Sequence, residues 1–182
     1  MLPVEQEQET RWAQDFLSGK GPINAMAKEE NALIIKKVTR ETFDAFLNLI
    51  DKLAEFEKLA PPDKEAKRRL RADCLSKKPK YEAYVGLIGE KCVAYVICFF
   101  TYSSFLALQT LFLEDIFVLN EYRRQGIGKK MFNHCVELAK RKGCGRIEFM
   151  VLKWNKTAQK FYEKRKAKRL EWYFYRLVND DF

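Results

Sequence analysis

The stretch Arg123-Arg124-Gln125-Gly126-Ile127-Gly128 constrains this chain more than any other. It comes after an apolar, β-rich run, Leu111–Leu119, and opens a segment, Ile127–Lys142, in which Ile127, Met131, Cys135 and Leu138 recur at helical spacing. A strand must therefore end, turn within a few residues and re-enter as a helix. Glycines let the backbone approach a ligand closely. The first N–H groups of a helix lack intrahelical partners, and the helix dipole favours negative charge there. Arg123, Arg124, Lys129 and Lys130 carry the matching sign. The pattern reads as an anion cradle, and a pyrophosphate is its natural occupant. It matches neither a P-loop nor a Rossmann fingerprint. On spacing alone, an ordinary glycine turn into a helix gives the same pattern.

The remaining periodicities place this loop in a larger order. Leu33–Val38 reads as a short strand, and Thr39 is a suitable N-cap for a helix directly after it. Phe43, Phe46, Leu47, Ile50 and Leu53 then recur at helical spacing until Pro61-Pro62 stops them. A second helix starts near Asp63. Tyr81–Ile88 and Cys92–Thr101 are β-rich and flank Gly89-Glu90-Lys91, a hairpin signal. After the central helix come a strand at Arg146–Leu152, a short helix at Asn155–Lys164 and an aromatic strand at Leu170–Val178. The sum is an α+β, or mixed α/β, domain over residues 34–182, with a mostly antiparallel sheet flanked by helices. Residues 1–33 read as a poorly defined N-terminal extension, and Met26 is an alternative start.

Charge narrows the partners. The net charge is +9, yet residues 120–182 hold 17 basic against 7 acidic side chains. Such a field suits nucleic acid or a small polyanion such as a nucleotide cofactor, while lysine-rich helix faces can also be merely solvated. No apolar run approaches the roughly 18 residues of a membrane-spanning helix. The first residues, MLPVEQEQETRWAQDF, are acidic and lack the apolar core of a secretory leader, so the expected location is the cytoplasm, with no membrane partner. The 5 cysteines have no CxxC spacing and only 1 histidine accompanies them, so no metal is expected.

The R-x-x-G-x-G loop after a strand, together with Asn155-Lys156-Thr157-Ala158-Gln159-Lys160-Phe161-Tyr162, resembles the paired signatures of the GCN5-related N-acetyltransferases (GNAT). The resemblance spans about residues 34–178 and implies a GNAT fold. Phe100-Thr101-Tyr102, Leu113 to Val118, Glu121-Tyr122-Arg123 and Val151 to Asn155 resemble the diamine branch, which acts on spermidine, spermine or thialysine. The implied reaction is direct attack of a substrate amine on acetyl-CoA, without a metal. It requires a neutral amine, a stabilised oxyanion and a protonated leaving thiolate.

The resemblance also implies roles. Tyr162 would protonate the thiolate, and a phenol is protonated at neutral pH. Glu114 would deprotonate the amine through water. The cofactor would lie along Ile116, Phe117 and Val118. Its pyrophosphate would meet Arg123, Arg124, Gln125, Gly126, Ile127, Gly128 and Lys129, and its arm would meet Asn155, Thr157, Ala158 and Tyr162. Phe56, Glu57, Glu114 and Asp115 would bind a cationic amine. On an ideal strand Asp115 faces away from Glu114, so both reach one pocket only if the strand is bulged. The diamine branch is typically homodimeric. Where the family has Gly-Ala after the tyrosine helix, this chain has Lys166-Ala167.

Other readings stay open at this point. A protein N-acetyltransferase would show an open groove in place of an acidic pocket. A nucleic-acid module would use the basic last third, although no RRM-type signature accompanies it. His134 shares a helix face with Lys130, Glu137 and Arg141, which suggests a surface role. Cys135 lies on the apolar face, and Trp154 reads as core or pocket wall. The segment Trp172-Tyr173-Phe174-Tyr175 suits core on one side and a dimer contact on the other.

Overall fold

The computed structural model describes residues 32–179, so the expected extension and Met26 lie outside the described residues. The described chain divides between Phe149 and Met150 into two compact units. The first holds β1 (Ile34–Lys37), α1 (Phe43–Glu57), α2 (Lys64–Cys74), β2 (Glu82–Ile88), β3 (Lys91–Ser103), β4 (Leu108–Val118), a 3-10 turn (Asn120–Tyr122), α3 (Ile127–Arg141) and β5 (Arg146–Phe149). The second holds α4 (Lys156–Glu163).

The sheet order is β1-β2-β3-β4-β5. The first three pairings are antiparallel and β4–β5 is parallel. Hairpins join β2 to β3 and β3 to β4. The parallel pair needs a crossover, and α3 supplies it.

Each face of the sheet carries its own core. On one face α1 contributes Phe43, Phe46, Leu49 and Ile50, which pack with Ala83, Val85, Tyr95, Ile97 and Phe117. Of the positions read from the sequence, Phe43, Phe46 and Ile50 lie in this stripe, Leu47 and Leu53 pack against it partly buried, and Leu49 joins it. Truncating Phe46, which has no exposed surface, would cost roughly 3–5 kcal/mol. On the other face α3 buries Ile127, Met131, Cys135 and Leu138. Gly86 lies under that helix: a Cβ there would stand 3.0 Å from Met131 Sδ and 3.3 Å from Ala94 Cβ.

Several expectations are corrected. The first helix begins at Phe43 after Thr42, not after Thr39. Thr39 instead donates its N–H to Thr42 Oγ1 over 2.9 Å, which makes a turn before the helix. The strand expected at Arg146–Leu152 ends at Phe149. No strand forms at Leu170–Val178, where Trp172, Tyr173 and Tyr175 are 77 %, 87 % and 85 % exposed. Aromatic, β-rich side chains favour a strand only when the backbone finds a ladder partner. Trp154 is exposed and not core. His134 has intermediate exposure. It is half-buried against the Tyr84 ring, 4.3 Å between centroids, and burial, then Arg141, pulls its pKa down.

Candidate active site

A bulge in β4 brings the acids together. Cys98 pairs with Leu113 and Ile97 pairs with Asp115, so Glu114 is the extra residue. Two consecutive side chains, Glu114 and Asp115, then oppose the single Ile97, which is the condition for both to reach one side of the sheet. The cross-strand pairs put Asp115 on the face of Ile97 and Tyr95, the α1 face. Glu114 is exposed, whereas Asp115 is partly buried and accepts a hydrogen bond from Tyr95 Oη at 3.3 Å. Burial, then the negative charge of Glu114 and that of Glu57, raises the Asp115 pKa to about 6.

Glu57 approaches the same group from the end of α1. It is half-buried, and burial raises its pKa. Its neighbours are accounted for otherwise: Glu55 pairs with Lys52 at 2.9 Å, and Asp51 pairs with Lys67 at 2.7 Å. Among the described residues Glu57 makes no ion pair. Glu57, Glu114 and Asp115 thus form an acidic patch with no cation of the described chain bound to it, a suitable partner for a cationic amine.

The glycine loop leads from β4 into α3 as the sequence suggests. β5 stops at Phe149, opposite Leu113, so from Glu114 to Val118 the outer edge of β4 has no strand partner among the described residues. The chain then runs through the 3-10 turn into α3. Arg124 and Gly126 both have left-handed backbone, with φ of +61° and +81°. Lys130 is the first residue of α3 whose N–H finds a carbonyl, that of Gly126 at 3.1 Å. No protein carbonyl or side chain accepts from the N–H groups of Arg124 to Lys129 among the described residues. The helix has no side-chain cap and no acid in its first turn, where Lys129 and Lys130 stand instead. Two cations at the positive end of a helix dipole are unfavourable unless an anion joins them. By contrast, Asp63 caps α2 and Asn155 caps α4. The orphan donors and the open space above Gly126 fit a pyrophosphate.

Arg123 makes contacts within the first unit. Its Nε donates to the Val118 carbonyl at 2.8 Å. Its guanidinium carbon lies 4.6 Å from the Phe56 ring centre and 5.4 Å from that of Phe117. Gln125 likewise turns back, donating to the Glu121 carbonyl at 3.1 Å.

In the second unit, Asn155 Oδ1 accepts from the Ala158 N–H at 3.0 Å, which commits that oxygen to capping and leaves the amide nitrogen. Gln159 Nε2 holds the preceding loop through the carbonyls of Leu152 and Lys153, at 3.2 and 2.9 Å. Tyr162 is the buried residue of α4, its ring edge-on to Phe161 with centroids 5.1 Å apart. After α4 the Lys166 N–H returns to the Glu163 carbonyl at 2.9 Å and the Ala167 N–H to that of Tyr162 at 3.2 Å. This is a Schellman ending, and lysine, at φ +64°, takes the left-handed position usually held by glycine.

The family model described as the GNAT acetyltransferase family matches residues 44–166. The chain belongs to the GNAT acetyltransferase family. It is 39 % identical over 125 residues to thialysine N-epsilon-acetyltransferase of Bos taurus, covering 64 % of this chain and 73 % of that one. It is 41 % identical over 95 residues to an L-ornithine N5-acetyltransferase of Arabidopsis thaliana, covering 51 % and 42 %. Among solved structures, an aminoglycoside N-acetyltransferase in complex with CoA shares the fold with a TM-score of 0.68 at 15 % identity, covering 81 % of this chain and 95 % of that one.

This GNAT chain is an N-acetyltransferase, and its first unit holds a loop of unpaired N–H groups and a patch of carboxylates. The loop, Glu57, Glu114 and Asp115 are the positions expected from the sequence, and the structure adds Tyr95 beside Asp115. In the sequence Tyr95 is one residue of a β-rich run, with nothing local to mark its hydroxyl. The only available signal was a polar tip on the alternation that faces α1. The contacts of Arg123 in this GNAT enzyme were equally opaque: Phe117 is six residues away, but Phe56 comes from a helix distant in sequence.

Proposed function

We propose that this chain transfers the acetyl group of acetyl-CoA to a small cationic amine, a diamine or a thialysine-like ω-amine. The observation that carries this reading is the parting of β4 from β5 at Leu113, which leaves an unpaired strand edge between the acidic bulge and the orphan N–H groups of the loop. An extended pantetheine arm can take the place of the missing strand. Acetyl-CoA, when bound, supplies the activated acyl group. The N–H groups of Arg124 to Lys129 would hold the pyrophosphate, and the free edge over Ile116, Phe117 and Val118 would orient the arm. Thr157, Ala158 and the amide nitrogen of Asn155 are further candidates for cofactor contact.

The acids then divide the work on the amine. Glu57 and Asp115, with Phe56 beside them, hold the cationic substrate. Glu114, exposed at the bulge, accepts the proton that the attacking ammonium must lose, directly or through water. Tyr162 returns a proton to the departing sulfur. The relatives named for thialysine and ornithine support the substrate class, because both carry a flexible chain ending in an amine. No metal takes part, the enzyme works in the cytoplasm, and a homodimer is the expected assembly.

The experiment is release of free CoA thiol from acetyl-CoA against spermidine, spermine, putrescine, thialysine, ornithine, lysine and a lysine peptide. Turnover with a free diamine or ω-amino acid is the expected result. Turnover with the peptide alone would move the substrate to protein. Silence with every amine would overturn the reading.

A further inference from the structure

We propose that Arg123 is a positioning residue that locks the amine-binding end of α1 to the cofactor-binding end of β4, and is not a ligand of the pyrophosphate. The proposal rests on the acetyl-transfer reading above for the meaning of those two ends. Arg123 stands at the first position of the glycine motif, where its charge suggests a phosphate contact. Its geometry serves something else. Nε donates to the carbonyl of Val118, the last residue of β4, at 2.8 Å. The guanidinium lies near two rings, Phe56 at 4.6 Å and Phe117 at 5.4 Å. No carboxylate pairs with it among the described residues.

The two rings belong to the two halves of the site. Phe117 is buried in β4 and packs on Tyr95, 6.1 Å between centroids, whose hydroxyl holds Asp115. Phe56 is in the last turn of α1, one residue before Glu57. That turn stands at the surface. It ends in a Schellman motif with Lys58 at φ +59°, and the next residue, Leu59, is 62 % exposed. The arginine is therefore a clamp between an exposed helix end and a rigid strand. Only a guanidinium can lie against a ring and donate in its own plane to a carbonyl at once, whereas an ammonium is a point donor. Charge neutralisation at the pyrophosphate is left to the loop N–H groups and to Arg124, Lys129 and Lys130, whose side chains form no ion pair among the described residues.

The test compares Arg123→Gln, Arg123→Lys and Phe56→Leu. The clamp predicts that both arginine variants raise the KM for the amine roughly tenfold while the KM for acetyl-CoA changes less than about threefold. A rise in the acetyl-CoA KM equal to that for the amine, or restoration by Arg123→Lys, would overturn it. A second measurement needs no substrate. The Lys58 and Leu59 amides donate to the Glu55 and Ala54 carbonyls at 3.2 and 2.9 Å, and their hydrogen exchange reports the last turn of α1. Arg123→Gln and Phe56→Leu should speed both roughly tenfold and leave the Lys67 amide of α2 unchanged. Unchanged exchange sinks the clamp. If Arg123→Gln fails to fold, Arg123→Lys carries the kinetic comparison and Phe56→Leu the exchange measurement. A wild-type protein silent with every amine removes the acetyl-transfer reading, while the exchange data still judge Arg123.

Discussion

Tyr95 donates its hydroxyl to Asp115 Oδ2 over 3.3 Å, from a ring with no exposed surface. The ring is held edge-on by Phe46, 5.3 Å between centroids. A fixed donor beneath a carboxylate sets where that carboxylate can stand. Burial and two neighbouring acids push the Asp115 pKa up to about 6, and the tyrosine hydrogen bond opposes part of that rise.

The first prediction concerns pH. The folded carboxyl holds its proton more tightly than the unfolded one, whose ordinary value is 3.8, so wild-type stability attributable to Asp115 falls as pH rises from 3.8 through about 6. Asp115→Asn should remove that slope. Near neutral pH it should stabilise the protein by on the order of 1–2 kcal/mol, less than the full shift implies because solvent reaches part of the group. Urea midpoints of both proteins across that pH range test this. A difference between them that does not grow with pH would show that Asp115 ionises freely in the fold.

Gly126 is the second. At φ +81° it has room for a Cβ but not the backbone preference of one. Gly126→Ala should cost roughly 1–2 kcal/mol, or let the loop relax and disperse its N–H groups. The KM for acetyl-CoA should rise at least about tenfold with the amine KM less affected. Steady-state kinetics with each substrate varied in turn decide it.

Tyr162 is the third. Tyr162→Phe keeps the packing of the buried ring and removes the hydroxyl. Turnover should drop roughly 100-fold with acetyl-CoA affinity, measured by calorimetry, nearly unchanged. Unaltered turnover would assign the proton to another donor.

Among the described residues two helices end with a lysine where glycine is preferred, Lys58 at φ +59° and Lys166 at φ +64°. Lys58→Gly and Lys166→Gly should each stabilise by about 1 kcal/mol. Lys164→Gly, at a right-handed position with φ −60°, should destabilise by roughly the same amount. Thermal melts of the three variants make the comparison internal.

Much of the architecture was legible because its signals are local. The stripe of α1, the β2–β3 hairpin at Gly89 and the glycine entry to α3 each lie within one short window. Capping was less so: Thr39 and Thr42 are equally good caps by type, and only the packed turn chose between them. The strand expected at Leu170–Val178 failed for the converse reason, since a strand is a property of a pair. The candidate site divides the same way. Glu57 differs from Glu55 and Asp51 only in lacking a lysine within reach, which is a fact of position in space.

The chain's own residue order determines most of the helices and strands, the glycine entry into α3 and the family to which the chain belongs. These arise from periodicity, backbone freedom at glycine and motif spacing, all short-range. Tertiary structure alone decided that Glu114 is the bulged residue, that Asp115 sits over Tyr95 and that Arg123 reaches Val118, Phe56 and Phe117. Those facts depend on the β3–β4 register and on where α1 ends against the sheet, and register is set by packing between residues far apart in the chain.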